Sequence, residues 1–348
     1  MTLGDRLRLR VPGWWRSDRG LAGRVVHGIL APAEIGFRGA AAVRGALYDR
    51  GVLRSRSASI PVVSVGNISV GGTGKTPVSA WIAALLEDWG HAPAVVMRGY
   101  GDDEAALHRE LNPGVPVFAA RRRIEAAEAA EATACDCVVL DDGFQHRALS
   151  RDLDIVLIAA EHWSGNRHLL PRGPWREPIL ALRRAGIVLV TRKTATAEEA
   201  ARVVQEMERR GFGGPTGMVN IAPAGLVALD AAPGTGSIDG GLGALHGRSV
   251  LAIASIGDPR PFVEHIAAAG ARPELLAYPD HHDYTQRDIA SIVRKAAGRP
   301  IVATKKDAVK LRKFGSFVEG YVLEQEVLVE QGRDELEHAL RAAVAGRR

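Results

Sequence analysis

The sequence predicts an α/β protein with mostly parallel strands, and three observations support this fold class. Short apolar runs alternate with helical stretches along most of the chain. A buried strand over 60–65 leads through a glycine-rich turn directly into a helical pattern. A later apolar run, 138–140, ends in two aspartates, as strands do at the functional edge of a parallel sheet. With 348 residues, 46% of them apolar, the chain can form two domains with ordinary cores.

The remaining predicted strands are short, uncharged apolar runs with helical stretches around them. They cover residues 95–97, 115–118, 155–158, 187–190, 250–254 and 301–303. Glycine and proline are frequent between 211 and 247, where charge is low, which predicts a junction between domains. We therefore expect a basic segment at 1–59, a first domain at 60–215, a linker at 216–247, and a smaller α/β domain with a final helix at 248–348.

The turn after the first strand has the composition of a phosphate-binding loop. Gly71, Gly72 and Gly74 allow successive backbone N–H groups to converge on an anion without a Cβ clash. Lys75 supplies a charge for the β- and γ-phosphates, and Thr76 supplies a hydroxyl for Mg²⁺. The loop predicts a P-loop NTPase-like sheet with helices on both faces. The predicted nucleotide contacts are Ser69, Val70, Gly71, Gly72, Thr73, Gly74, Lys75 and Thr76.

Two positions of the loop limit the interpretation. Ser69 stands where the strict pattern G-x-x-x-x-G-K-[ST] has glycine, but the strand before the loop and the helix after it are those the motif requires. Val70 occupies the position of the signature lysine in partition-type ATPases, which argues against that class. A glycine-rich βα turn without a ligand is the simpler alternative.

Asp141 and Asp142 follow a predicted strand and are candidate ligands of Mg²⁺. Strand ends converge on the phosphate loop in this fold, and carboxylates there hold the ion through its water shell. An aspartate pair by itself is as often a turn or a helix cap. The phosphate-binding loop upstream favours the interpretation of the two aspartates as Mg²⁺ ligands.

A proline-stiffened loop at 169–178 offers two arginines, Arg172 and Arg176, suited to clamping phosphates. Glu177 follows them within reach of a metal.

A second cluster, 278–284, has His281 and His282 between two aspartates. A histidine paired with a carboxylate can take the proton that a phosphoryl acceptor loses. The alternatives are a capping aspartate beside a surface histidine, or a zinc site, for which no further ligand follows at a recognised spacing.

The first 59 residues carry eleven arginines and four acids, a local charge of +7 in a chain of net +5. This segment also contains Trp14, Trp15 and two apolar stretches interrupted by arginines. None of its windows approaches the ~18–20 uncharged residues of a membrane-spanning helix. An amphipathic helix in the interface of an anionic membrane fits this composition, and a helix packed on the protein body is the alternative. Nucleic acid is disfavoured because no known binding motif accompanies the arginines.

The motifs together resemble a family. They follow the order seen in the tetraacyldisaccharide 4'-kinases, also called lipid A 4'-kinases, over roughly residues 14 to 315. The matching segments are the glycine loop Gly66 to Pro77, Arg98-Gly99-Tyr100-Gly101, Asp141 to His146, Leu170-Pro171-Arg172-Gly173 with Arg176-Glu177-Pro178, Asp280-His281, and Thr304 to Leu311.

The resemblance implies transfer of the γ-phosphate of ATP, with Mg²⁺, to the 4'-hydroxyl of a tetraacylated glucosamine disaccharide 1-phosphate. The product would be lipid IVA, an intermediate of lipopolysaccharide assembly. The implied location is the cytoplasmic face of the bacterial inner membrane, with a peripheral or interfacial N-terminal helix. The implied partners are the lipid substrate and the membrane surface. The sequence itself indicates no nucleic acid and no obligate protein partner.

The resemblance also implies roles for individual residues. Lys75 and Thr76 would take phosphates and Mg²⁺, with Asp141 and Asp142 in the magnesium shell. Arg176 matches the family's phosphate-contacting arginine and Glu177 its metal-side glutamate. A family aspartate in a Gly-Asp-Glu motif forms a dyad with the histidine of Asp-His. Here Asp103 and His281 match it, and Asp102 is the alternative because the loop is shorter.

Two other functions remain open at this point. One is a P-loop kinase for a different hydroxyl acceptor. The other is a nucleotide-dependent membrane-associated switch that transfers no phosphate. A base paired with a carboxylate favours a kinase, because a switch has no alcohol to activate. The two cysteines, Cys135 and Cys137, match no zinc or redox spacing and are expected to be reduced.

Overall fold

The computed structural model describes residues 21–99, 102–163, 167–210, 212–231, 238–316 and 318–345. The chain divides into two compact units. The first consists of Met1–Gly99, Val115–Asn220 and Val329–Arg348, and the second of Tyr100–Gly114 and Ile221–Leu328. Trp14 and Trp15, which the sequence analysis assigns to the basic segment, lie outside the described residues.

The first unit contains a parallel sheet in the strand order β3-β2-β4-β1-β5-β6-β7. Every residue of β1, β2 and β4 is buried, so both faces of the sheet are covered. The strands are β1 (Val62–Asn67), β2 (Pro93–Met97), β3 (Val117–Ala119), β4 (Cys137–Asp141), β5 (Leu153–Ala159), β6 (Ile187–Arg192) and the start of β7 (Thr216–Ala228).

Helices connect several of these strands, as the crossovers of a parallel sheet require, whereas a loop alone joins β4 to β5. They are α1 (Leu21–Asp49), α2 (Lys75–Asp88), α4 (Arg123–Glu131), α5 (Ala197–Arg209) and α9 (Arg333–Ala345), with short 3₁₀ turns at Ala160–His162 and Ile179–Arg184. Both cysteines are buried and free, as expected.

The second unit has four parallel strands in the order β11-β10-β8-β9. Its strands are β8 (Ser249–Ala254), β9 (Arg272–Ala277), β10 (Ile301–Thr304) and β11 (Gly320–Gln331), which continues into the first unit. Its helices are α3 (Asp102–Leu111), α6 (Arg260–Ala268), α7 (Gln286–Ala296) and α8 (Lys305–Leu311), with 3₁₀ turns at Gly241–Leu245 and Arg312–Phe314.

The predicted α/β class with mostly parallel strands is confirmed, and each predicted apolar run forms a strand. Three further strands were not predicted. Asn220, Pro223 and two glycines interrupt the apolar residues of β7, and charged residues interrupt those of β9 and β11. The segment 216–247, expected to be a linker, begins with the 13-residue strand β7. Residues 100–114 belong to the second unit although they come early in the chain.

Helix α1 exposes several large apolar side chains together with its arginines, and it buries two polar side chains, which departs from the usual amphipathic pattern. Ile29 is 70% exposed and Ile35 is 71% exposed. By contrast, His27 and Glu34 are each only 5% exposed. Val25 and Val43 are also more than half exposed. None of the helices in the described ranges combines the length and apolar character needed to cross a bilayer.

Glu34 fastens α1 to the first unit. Its carboxylate accepts hydrogen bonds from the backbone N–H of Leu169 at 3.0 Å and from Arg172 at 3.2 Å. Near the end of the helix, Arg147 donates to the carbonyl of Gly45 at 3.1 Å and pairs with Asp49 at 2.7 Å. These polar contacts hold one side of α1 against the protein and leave its isoleucines and valines in solvent.

Candidate active site

The glycine-rich loop follows β1 and leads into α2, as the sequence predicts. Gly71 has φ of 120° and Gly74 has φ of 86°, values that L side chains rarely adopt. These conformations allow the loop to turn tightly before Lys75 begins the helix. The N-terminus of α2 carries unpaired backbone N–H groups and a partial positive charge, which together favour a phosphate.

Neighbouring segments fix the shape of this loop. Thr73 is buried, and its hydroxyl accepts a hydrogen bond from the side chain of Asn67 at 2.8 Å. The hydroxyl of Thr191 donates to the carbonyl of Thr73 at 2.9 Å. Val70 donates its backbone N–H to the carbonyl of Pro174 at 2.7 Å. The loop is therefore preorganised by contacts with three different segments.

Lys75 and Arg176 both pair with Asp142. The Nζ of Lys75 lies 3.6 Å from Oδ1 of Asp142, and one terminal nitrogen of Arg176 lies 3.0 Å from both carboxylate oxygens. Burial raises the pKa of Asp142, but the positive charges of Lys75, Arg176 and Arg123 outweigh that effect and lower the pKa below its ordinary value. Asp142 is therefore ionised at neutral pH.

Asp141 accepts two hydroxyl hydrogen bonds from α2. Thr76 Oγ1 and Ser79 Oγ each lie 3.3 Å from one of its oxygens. The two hydroxyls are three residues apart and so share one face of the helix. Parallel pairing of β1 with β4 opposes Asp141 to Val65, which brings the carboxylate beside the loop.

Glu177 also lies in this group of polar side chains. Its carboxylate accepts hydrogen bonds from Gln145 at 3.1 Å and from Arg184 at 2.8 Å. The backbone N–H groups of Arg176 and Glu177 donate to the carbonyl of Ile68, at 2.8 and 3.3 Å, which ties their loop to the phosphate loop.

A cationic group lies beside these carboxylates. Arg123 is 6% exposed; one of its nitrogens donates to the backbone carbonyl of Asp142 at 3.1 Å, and its Nε has no hydrogen-bond partner. Burial lowers the pKa of His146 to about 4, and four arginines contribute to the shift: Arg123, Arg151, Arg44 and Arg98. We call Arg98, Arg123 and the neutral His146 the cationic cluster, whose positive charge comes from its two arginines. A buried guanidinium with an unsatisfied N–H is suited to an incoming anion.

The second unit brings Asp103 and His281 together. Oδ2 of Asp103, on α3, lies 3.1 Å from Nδ1 of His281, on the loop after β9. Burial raises the pKa of Asp103, but the hydrogen bond with His281 and the charges of Lys306 and Lys310 lower it to about 2. The bond to Asp103 raises the pKa of His281 above its ordinary value, against opposing effects of burial and of Lys306.

The loop with His281 is held by a buried polar network. Asp307, fully buried, accepts hydrogen bonds from the backbone N–H of Ser255 at 3.0 Å and from the hydroxyl of Tyr284 at 2.9 Å. Lys310 donates to the backbone carbonyl of His282 at 2.9 Å. His281 itself has φ of 58°, in the left-handed region where histidine is tolerated better than most residues.

The predicted residues thus form two groups. Thr76, Asp141, Asp142, Arg176, Glu177 and Lys75 lie together in the first unit, and Asp103 and His281 lie together in the second. The side chain of Asp102, the alternative to Asp103, lies outside what the structure describes. The sequence analysis assigned no site role to Ser79, Arg123 and Lys306. The three-residue spacing from Thr76 could have indicated Ser79, because it places both hydroxyls on one face of the helix. Arg123 lies in an ordinary helical sequence, in which no pattern indicates a site residue.

The fold and this site define a P-loop protein of the phosphotransferase class. A family model described as Tetraacyldisaccharide-1-P 4'-kinase matches residues 26–113 and 101–345. The chain belongs to this family, whose members are kinases of lipid A biosynthesis, and the function and family expected from the sequence are confirmed.

Relatives of the chain lead to the same family. A Tetraacyldisaccharide 4'-kinase of Anaeromyxobacter dehalogenans is 41% identical, over 95% of this chain and 94% of the relative. The enzyme of that name from Syntrophus aciditrophicus is 39% identical, over 81% of this chain and 84% of its own length. A solved structure of LpxK from Aquifex aeolicus in complex with ATP has a TM-score of 0.71 and 28% identity, covering 91% of this chain and 99% of that one.

Proposed function

We propose that this protein transfers the γ-phosphate of ATP to the 4'-hydroxyl of a tetraacylated glucosamine disaccharide 1-phosphate. The observation that carries this proposal is the pair of Asp103 and His281, a base assembly that phosphate binding alone does not need. The solved relative from Aquifex aeolicus contains ATP, which supports ATP as the donor here. The two units supply different parts of the chemistry.

The first unit supplies positioning and charge for the nucleotide. Loop residues 69–74 offer backbone N–H groups to the β-phosphate, and Lys75 and Arg176 offer positive charge to the γ-phosphate. Both cations now pair with Asp142, so a triphosphate competes with that carboxylate for them. Phosphoryl transfer depends mainly on such charge neutralisation, since little covalent work falls to the protein.

The oxygen donors beside the loop fit a magnesium ion. Thr76, Ser79, Asp141, Asp142 and Glu177 provide only oxygen atoms, the ligands that this hard cation prefers. Asp142 is ionised because its pKa is lowered, so its charge is available to a cation. A bound Mg²⁺ would neutralise charge on the β- and γ-phosphates.

The second unit activates the acceptor. Nε2 of His281 takes the proton of the 4'-hydroxyl while Nδ1–H donates to Asp103. The hydroxyl oxygen forms a new bond to the γ-phosphorus, and the bond from that phosphorus to the bridging oxygen of ADP breaks. Asp103 orients the ring and stabilises the imidazolium that forms, because its pKa of about 2 keeps it ionised.

The cationic cluster is suited to the phosphate of the acceptor. The acceptor carries a 1-phosphate, and the buried Nε–H of Arg123 has no partner within the described residues. An anion there would satisfy this donor and relieve repulsion among the neighbouring arginines. We propose that Arg98, Arg123 and His146 bind a phosphate group of the lipid substrate.

Helix α1 is suited to a membrane surface. Its exposed isoleucines and valines would enter the interface, and its arginines, Arg24, Arg38 and Arg44, would meet anionic headgroups. Since Glu34 fixes the polar side of the helix to the protein, the apolar side keeps its outward orientation. We propose a peripheral location on the cytoplasmic face of the inner membrane.

A direct assay tests the proposal. The 348-residue chain is incubated with ATP labelled at the γ-phosphate and the acylated disaccharide 1-phosphate, and the lipid products are separated by thin-layer chromatography. We expect label in the lipid product. Label released only as inorganic phosphate, with or without acceptor, would instead identify a nucleotide-dependent switch. Equal transfer to the deacylated disaccharide would indicate a different hydroxyl acceptor.

A further inference from the structure

Lys306 contacts the ring of His281 at the nitrogen that does not face Asp103. Its Nζ lies 3.2 Å from Nε2 of His281 and 3.3 Å from Oδ1 of Asp280. The other ring nitrogen, Nδ1, lies 3.1 Å from Asp103. His281 is therefore held between an anionic partner and a cationic one.

These contacts determine which ring nitrogen carries the proton. The ammonium group of Lys306 has three N–H donors and no lone pair, so it can only donate to Nε2. Nε2 must then present its lone pair, and the proton of the neutral ring lies on Nδ1, where it donates to Asp103. This is the tautomer in which Nε2 can accept a proton from a hydroxyl.

We propose that Lys306 is a positioning residue. Its ammonium group donates to Nε2 of neutral His281 and so keeps the lone pair on that nitrogen, until the acceptor hydroxyl takes the place of the ammonium group. The inference rests on the proposed function, because it requires that His281 receive the proton of the hydroxyl. Once the hydroxyl has donated to Nε2, the nearby ammonium opposes the imidazolium electrostatically. Lys306 thereby favours return of the proton to solvent and resets the base.

The charges around His281 show why a cation is useful there. Among the side chains that the structure describes, three carboxylates face the ring: Asp103 at Nδ1, and Glu104 and Asp280 at 3.7 and 3.9 Å from Nε2. Each favours the imidazolium, which cannot act as a base. Lys306 is the cation in contact with the ring, and Lys310 is a buried cation whose charge acts on Asp103. Lys306 thus limits the rise in the pKa of His281.

The fold keeps Lys306 in this position. It lies in the first turn of α8, where the adjacent Asp307 is fully buried and bonded to the backbone of Ser255. One turn later Lys310 donates to the backbone of the histidine loop. The Lys306 side chain is 15% exposed, so it does not move freely in solvent.

Titration of His281 by NMR tests the proposal without turnover. The full chain is labelled with ¹⁵N-histidine, and the His281 signals are assigned by their loss in His281→Ala. In Lys306→Met we expect the pKa of His281 to rise by roughly half a unit to one unit, the size of a close charge contact near the surface. Lys306→Arg keeps the positive charge and should shift the pKa of His281 less. The matched control is Lys305→Met, since Lys305 pairs with Glu324 at 2.6 Å instead.

The pH profile of kcat separates this inference from the proposed function. In Lys306→Met the acidic limb of the kcat profile should move to higher pH by the same amount as the pKa of His281 measured by NMR rises. An unchanged pKa of His281 would overturn the role of Lys306, even if activity were lost. If the pKa of His281 shifts but the acidic limb of the kcat profile does not, the role of Lys306 beside His281 stands, and His281 is refuted as the base.

Discussion

Asp103 and His281 are 178 residues apart in the sequence, yet their side chains meet in a hydrogen bond of 3.1 Å. The carboxylate side chain is 11% exposed and the imidazole 44% exposed. One partner is thus fixed in the protein while the other keeps a face open to a substrate. This asymmetry suits a base that must be oriented and still reach an alcohol.

Substitution of the phosphate lysine and of the base should have different effects. Lys75→Ala should nearly abolish turnover, because it removes charge from the γ-phosphate. His281→Ala should lower kcat by about 10²- to 10⁴-fold, the usual contribution of a general base, with ATP affinity largely intact. Turnover assays and equilibrium binding of a fluorescent ATP analogue measure both. Loss of nucleotide binding in His281→Ala would contradict its assignment to the acceptor.

The pH dependence of kcat should report the Asp103–His281 pair. His281 acts as a base only when neutral, so the rate rises with pH through its pKa, which Asp103 raises. Asp103→Asn removes the negative charge, which lowers that pKa and moves the acidic limb to lower pH. The maximal rate should also fall, since the ring loses its orientation. An acidic limb that moves to higher pH, or not at all, would argue against this pairing.

Arg123 should matter more for the acceptor than for ATP. Arg123→Met removes the buried guanidinium of the cationic cluster, and we expect KM for the lipid acceptor to rise about 10-fold or more, as for a charge-assisted hydrogen bond. KM for ATP should change little. Arg122→Met is the matched control, because Arg122 is adjacent but exposed, with Glu125 as its partner. Equal effects on both substrates would indicate that Arg123 serves the fold instead.

The exposed face of α1 should determine membrane binding. The double variant Ile29→Glu and Ile35→Glu places two charges on side chains that are mostly exposed, so the fold should tolerate it. We expect clearly weaker flotation with liposomes containing anionic lipid, at unchanged ATP affinity. Val293→Glu, at a 40% exposed position on α7, is the control. Flotation equal to that of the unmodified protein would exclude α1 as the membrane contact.

Local patterns in the sequence determined the fold class and the phosphate loop. The strand before Gly71, the glycines and the helix after Lys75 interact mainly with their sequence neighbours, so spacing alone reveals them. The order of the motifs likewise identified the family. Strands β7, β9 and β11 were not predicted because their apolar residues are interrupted, by Asn220, Pro223 and glycines in β7 and by charged residues in β9 and β11. Pairing with neighbouring strands makes these segments strands.

Tertiary packing decided which side chains meet. It joined Asp103 to His281, Ser79 to Asp141, and both Lys75 and Arg176 to Asp142. It also turned the apolar side of α1 outward, by burying Glu34 against the backbone of Leu169. The physical reason is that distances between side chains far apart in the chain depend on how sheets and helices pack, which no local spacing encodes. The sequence therefore determined the kind of chemistry, and the folded structure determined the partners that tune it.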